Sequence, residues 1–251
     1  MIRAPLTLAA CAAVVPAMAV AEVETRDVTY TAGDRTFEGY VAHDPARDSL
    51  GTVLIVHDWD GLTDYEEMRA RMLAEAGYTA FAIDVYGADT DPQGVADYRA
   101  LSGALYADRE TFRTRLMGGI MAAGDIPGAT AEMVMIGYCF GGAAVLEAAR
   151  AGADLDGFVS FHGGLPTPEG QDWSIANGAP IQFFHGSADP VSGIDDLAQV
   201  MSELNAADIP HGAEIFGGAR HAFTVPGSDD YLAPADAESF AGLLAFLGET
   251  L

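Results

Sequence analysis

One hexapeptide constrains this chain more than any other: Gly137-Tyr138-Cys139-Phe140-Gly141-Gly142. It directly follows the apolar run Met133-Val134-Met135-Ile136 and opens an Ala-rich stretch of helical character, Ala143 to Arg150. Strand, tight turn and helix in that order make a nucleophile elbow, in which small flanking residues let the chain reverse and lift one side chain above the carboxyl edge of a sheet. Here the lifted residue is Cys139. A helix N-terminus beneath it favours a thiolate over a thiol, so the sequence predicts an activated sulfur. The plain structural alternative is a buried cysteine at a glycine-rich helix start; the order of the three elements favours the elbow.

An elbow needs a sheet around it, and the rest of the chain offers one. Asp27–Ala32 and Thr36–His43 read as a β-hairpin around Gly33-Asp34, and Gly51–Val56 and Thr79–Ile83 are continuous apolar runs of the kind buried on both faces. Further strands are predicted at Gly157–Phe161, Ile181–Phe184 and Ala213–Phe216. Between them lie helical patterns at Thr63–Ala76, with Gly77 as C-cap, at Ala96–Ala123, as one helix or two, and at Ile194–Leu204. Ala235–Leu247 is a closing amphipathic helix with Gly248 just past its end. Alternation of this kind predicts an α/β fold with a mainly parallel central sheet and helices on both faces.

The chain begins Met1-Ile2-Arg3, continues apolar and Ala-rich from Ala4 to about Val20, and turns polar at Glu22. That layout predicts a signal peptide over residues 1–21, a single domain over 22–251, and a periplasmic or secreted protein. Ala17-Met18-Ala19 and Ala19-Val20-Ala21 both fit small-x-small cleavage, giving a mature start at Val20 or Glu22. A retained membrane anchor and a lipoprotein box at Leu8-Ala9-Ala10-Cys11 are the alternatives. Once the leader is gone Cys139 is the sole cysteine, so no intramolecular disulfide can form. Thirty-seven acidic residues face 12 arginines and no lysine, for a net charge of −25, which disfavours nucleic acid and anionic membranes as partners. The acids are spread along the chain, as on a solvated surface suited to a salt-rich habitat.

A nucleophilic Cys139 needs a base, and the base an orienting acid. After the strand ending at Phe184 comes His185-Gly186-Ser187-Ala188-Asp189-Pro190. After the strand ending at Phe216 comes Gly217-Gly218-Ala219-Arg220-His221-Ala222-Phe223. Asp189 and His221 therefore sit in loops at the same sheet edge, in the order nucleophile, acid, base.

From about Thr36 to Leu247 the chain resembles the dienelactone hydrolase family, a cysteine branch of the α/β-hydrolase fold. The resemblance rests on the elbow, the Asp189 loop, Gly218-Ala219-Arg220-His221-Ala222-Phe223, and Ile83-Asp84-Val85-Tyr86-Gly87. It implies hydrolysis of small esters or lactones through a thioester on Cys139, with Asp189 and His221 completing a triad and no cofactor or metal. It also implies an oxyanion hole from the backbone N–H groups of Trp59 and Phe140. In the family a carboxylate, usually glutamate, faces the resting thiol; the matching residue is the shorter Asp58. An arginine that grips anionic substrates shortly after the histidine has no counterpart here, where Val225 stands, and Arg99 and Arg109 are the remaining candidates. Tyr86 and Phe223, with Trp59 and Phe140, are candidate pocket-lining aromatics, and His162 and His185 are polar strand-end neighbours.

Two other readings compete. His57, His162 and His185 with nearby aspartates would suit a metal-dependent hydrolase, although their spacing matches no compact ligand motif. A noncatalytic exported binding protein would retain the same fold.

Overall fold

The strand signals converge on one eight-stranded sheet in a computed structural model that describes residues 22–251. The expected leader, its cleavage pattern and the Cys11 box lie outside the described residues. In chain order the elements are β1 (Glu24–Ala32), β2 (Arg35–His43), β3 (Thr52–Val56), α1 (Asp64–Glu75), β4 (Thr79–Ile83), α2 (Val95–Ala107) and α3 (Arg109–Ala123). There follow β5 (Met133–Tyr138), α4 (Phe140–Arg150), β6 (Gly157–Phe161), β7 (Ile181–Gly186), α5 (Ile194–Ala206), β8 (His211–Phe216) and α6 (Ala233–Thr250).

The spatial order is β1-β2-β4-β3-β5-β6-β7-β8. The β1–β2 hairpin joins β4 antiparallel, and every pairing from β4 through β8 is parallel. Strands β3, β4 and β6 are buried at every position, which is why β3 and β4 read as largely apolar runs rather than alternating ones. Two apolar layers cover the sheet. Leu116, Leu146 and Val200 carry α3, α4 and α5 onto one face; Leu73 and Leu243 carry α1 and α6 onto the other. Because β3 to β8 run parallel, the loops after them all emerge at one edge.

The structure departs from the expected boundaries for local reasons. The stretch 96–123 breaks into two helices at Asp108, whose carboxylate caps α3 by accepting the Thr111 N–H at 3.0 Å. Helix α4 begins at Phe140, three residues before Ala143, because the turn after Cys139 is already helical. Gly248 lies inside α6 rather than beyond it. The extra turn lets Leu251 fill the space at Gly51, where an added Cβ would come within 2.5 Å of its side chain. Among the described residues no helix is long and apolar enough to cross a membrane.

Candidate active site

Cys139 sits between β5 and α4 with φ 52° and ψ −110°, a conformation that non-glycine residues rarely adopt. The glycines on either side make it reachable. A Cβ on Gly137 would lie 2.2 Å from the Gly141 carbonyl oxygen, and one on Gly141 would lie 2.1 Å from that of Val56. Only bare backbone lets the turn close against β3, so the Gly-x-Cys-x-Gly spacing is a packing requirement.

Loops after β7 and β8 bring two side chains to the sulfur. His221 Nε2 lies 3.0 Å from Cys139 Sγ, and His221 Nδ1 lies 2.8 Å from Asp189 Oδ2. A carboxylate only accepts, so Nδ1 carries the proton and Nε2 presents its lone pair to the thiol. Asp189 is buried, and burial alone would raise its pKa. The hydrogen bond and charge of His221, together with the N–H groups of Val191 and Ser192 at 2.7 and 3.2 Å, outweigh that and hold the carboxyl below its ordinary value.

The thiol itself behaves differently from the sequence-based expectation. Burial pushes the Cys139 pKa well up, the neighbouring Asp58 carboxylate pushes it further, and the N–H groups of Phe140 and Trp59 pull the other way without prevailing. Both leading effects favour the protonated thiol over the thiolate; a helix N-terminus does not offset loss of water plus a nearby negative charge.

Asp58, although shorter than glutamate, lies near enough to Cys139 for each group to shift the ionisation of the other. Its own pKa is raised to about 6, by burial first and by the charge of Asp60 second. The Asp58 carboxylate also accepts the N–H of Trp59, so one of the two expected oxyanion donors is engaged in the resting state. Behind this loop stands Glu66, fully buried, which accepts the Asp58 N–H at 3.1 Å and the Thr63 N–H at 2.9 Å. Burial pushes the Glu66 carboxyl up to about 8.

The aromatic candidates divide. Trp59 is half-buried, its ring 5.6 Å from that of Tyr98. Phe140 and Phe223, 3 and 0 % exposed, belong to the core, whereas Tyr86, largely buried, still borders a cleft with Asp60, Gly61 and Tyr98. Tyr86 spends its hydroxyl on the Trp59 carbonyl at 2.8 Å; Phe140 stacks on Phe112; Phe223 packs against Phe216 and His162. Neither arginine candidate carries a free charge to the sulfur. Arg99 is exposed on α2, and Arg109 donates to Glu147 at 3.0 Å.

The three strand-end histidines are each committed to other partners. His57 donates from Nδ1 to the Asp58 carbonyl and accepts the Val85 N–H, and His185 donates to the Ser192 carbonyl at 2.8 Å. His162 lies between Cys139 N and Thr224. Among the described residues no three His, Cys, Asp or Glu side chains converge as a metal site would need.

The dienelactone hydrolase family profile matches residues 37–251, most of the chain. The chain belongs to the dienelactone hydrolase family. A solved dienelactone hydrolase-like promiscuous phosphotriesterase from metagenomic libraries is 30% identical, with a TM-score of 0.84 over 91% of this chain and 98% of that one. A putative dienelactone hydrolase from Klebsiella pneumoniae superposes with a TM-score of 0.80 over 90% and 98% of the two chains; at 19% identity it supports the fold alone. An uncharacterized protein of Caenorhabditis elegans is 31% identical over 121 residues, 45% of this chain and 77% of its own length. Family and neighbours together make the chain a hydrolase of the α/β-hydrolase fold.

Glu66, Tyr106 and Glu147 lie close to the site without standing out in the sequence motifs. Glu66 had a signal, since Thr63-Asp64-Tyr65-Glu66 is a capping-box pattern, and the structure forms that box. Tyr106, at the end of α2, packs on Phe140 with ring centroids 5.5 Å apart. Partial burial, then the nearby charges of Cys139 and Asp58, raise its phenol pKa.

Asp58 gives a direct prediction. A negative group disfavours a neighbouring thiolate, so Asp58→Asn should make Cys139 more acidic and speed its alkylation by iodoacetamide at neutral pH, by about tenfold for each unit of pKa lost. The rate-versus-pH curve should shift to lower pH. Superimposable curves for the two proteins would reduce Asp58 to a loop residue, and slower labelling of the variant would make it a base rather than a repelling charge.

Proposed function

We propose that this hydrolase cleaves small carboxylic esters or lactones through an acyl-enzyme on Cys139. The observation that supports it most is the unbroken hydrogen-bonded line Asp189–His221–Cys139, ending beneath the N–H groups of Phe140 and Trp59. As the sulfur attacks the ester carbonyl carbon, His221 Nε2 takes the thiol proton, and Asp189 stabilises the resulting imidazolium. The carbonyl oxygen becomes an anion held by the N–H groups of Phe140 and Trp59, displacing the Asp58 carboxylate from the latter. Collapse expels the alkoxide, which takes the proton from His221, leaving a thioester. Water then gives a proton to His221 and attacks the thioester carbon, releasing the carboxylic acid and restoring the thiol.

Intact-mass measurement after rapid quench of a p-nitrophenyl ester should show one acyl adduct on the wild type. Absence of both adduct and turnover across esters and lactones would favour the noncatalytic binding protein. An aryl phosphotriester belongs in the same panel, because a relative 30% identical over nearly its whole length is described as a promiscuous phosphotriesterase. A phosphoryl adduct with no acyl adduct would move the proposal from carbon to phosphorus.

Substrate charge follows from the arginines. Val225 offers no cation, Arg109 is neutralised by Glu147, and the protein carries a net charge of −25. A neutral ester should therefore exceed its carboxylated analogue in kcat/KM by roughly tenfold to a hundredfold, the scale of one missing charge-assisted hydrogen bond. Val225→Arg should narrow the gap. A wild-type preference for the carboxylated analogue would show that another cation lines the pocket.

A further inference from the structure

Among the described residues three non-glycine positions have positive φ: Cys139 at 52°, His162 at 37° and Asp208 at 55°. Two of the three are hydrogen-bonded to each other. His162 Nδ1 accepts the backbone N–H of Cys139 at 3.2 Å, sharing it with the Phe161 carbonyl at 3.0 Å. Unusual backbone conformations persist only where their surroundings over-determine them, and they gather at functional sites. Here one such residue holds another.

The chemistry of His162 is fixed from both sides. A peptide N–H can only donate, so Nδ1 must be unprotonated, and the ring's single proton lies on Nε2, which faces Thr224 Oγ1 at 2.8 Å. Thr224 is fully buried and pairs in turn with the Tyr65 hydroxyl at 2.7 Å, while Arg69 holds its carbonyl at 2.6 Å. His162 is itself fully buried, and burial, with the neighbouring His221 as a second cause, keeps its pKa well below the ordinary value and the ring neutral. The backbone around it is equally committed, with His162 N–H donating to the Phe184 carbonyl at 2.9 Å. The imidazole also meets His221 edge to face at 5.4 Å, so it bounds the space in which that ring can turn.

We infer that His162, set as the Nε2–H tautomer by the Cys139 N–H and seated on Thr224, is a positioning residue that pins the strained Cys139 backbone and aims its sulfur at His221. Nothing in the triad line uses His162, yet loss of its acceptor would free the elbow to relax toward an ordinary φ and carry the sulfur off line. This inference rests on the proposed role of Cys139 for its kinetic readout only. Tautomer and thiol accessibility can be measured whether or not any ester turns over.

The test pairs two substitutions that separate the acceptor from the bulk. His162→Leu removes the acceptor; His162→Asn puts a carbonyl oxygen near the position of Nδ1. For a p-nitrophenyl ester the Leu variant should lose roughly tenfold to a hundredfold in kcat with little change in KM, the scale of a small misplacement of a reacting group, and the Asn variant should recover most of it. Iodoacetamide labelling of Cys139 should follow the same order. In 15N spectra of the wild-type protein, the His162 signals, identified by their loss in His162→Asn, should show a bare Nδ1 and a protonated Nε2. If the Leu variant fails to fold, Thr224→Val takes its place, and it should lower kcat in the same direction. Equal kcat in the Leu and Asn variants, wild-type kcat in Thr224→Val, or a proton on Nδ1 would each overturn the inference.

Discussion

Cys139→Ala is expected to lower kcat/KM for a p-nitrophenyl ester by about 10⁴-fold or more, equivalent to about 5 kcal/mol of transition-state stabilisation. What remains would come from the N–H groups of Phe140 and Trp59 and from binding. The fold should survive, because alanine deletes one half-buried sulfur and meets the same φ of 52° that cysteine already tolerates. Cys139→Ser should keep a trace of activity, since His221 lies within reach of a hydroxyl but must remove a proton from a much weaker acid. The acyl adduct should vanish in the Ala variant. Turnover at the wild-type rate in that variant, with unchanged melting temperature, would remove Cys139 from the mechanism altogether.

The sequence carried the elbow and the two loops because backbone geometry forces them. Gly137 and Gly141 are dictated by contacts shorter than any Cβ allows, and parallel strands send the Asp189 and His221 loops to one edge whatever their composition. What it could not carry was environment. The helix behind Cys139 argued for a thiolate, but the balance turned on burial and on Asp58, which stands 81 positions earlier in the chain. Phe223 reads as a pocket residue because an aromatic beside the His221 loop has no label for the side it faces; it faces Phe216 and His162. His162 was visible as a polar strand end, yet its partner is a backbone N–H, which leaves no mark in composition. Arg109 is a substrate-binding candidate by sequence, but its partner Glu147, on the next helix, carries no mark of that pairing in the sequence.

Glu147 carries the second large effect. It is fully buried on the helix that presents Cys139, and it accepts from Arg109 at 3.0 Å, Arg113 at 2.7 Å and Gln171 at 2.9 Å, with Arg150 at 3.6 Å. Burial works to raise its pKa; the hydrogen bonds of Arg113 and Gln171 and the charges of Arg150 and Arg109 overcome that and hold it below the ordinary value. One carboxylate thus serves three guanidiniums, and Arg150, at 4% exposure, has little access to water. Glu147→Leu should cost about 3–5 kcal/mol, the usual result of stranding a buried charge. For a domain of this size that lowers the melting temperature by roughly 6–20 °C. A carboxyl whose folded pKa is depressed stabilises above its unfolded value, near 4.5, and that contribution fades as pH falls through the folded one. The gap between wild type and variant should therefore be full at pH 7 and narrow on acidification below 4.5. Removing the stranded partner as well, in Glu147→Leu with Arg150→Leu, should recover part of the loss, because an apolar pair replaces an unpaired cation. A melting temperature that does not move in the single variant would mean that Arg109, Arg113 and Arg150 find solvent without it, and that α4 owes its placement to Val145 and Leu146 alone.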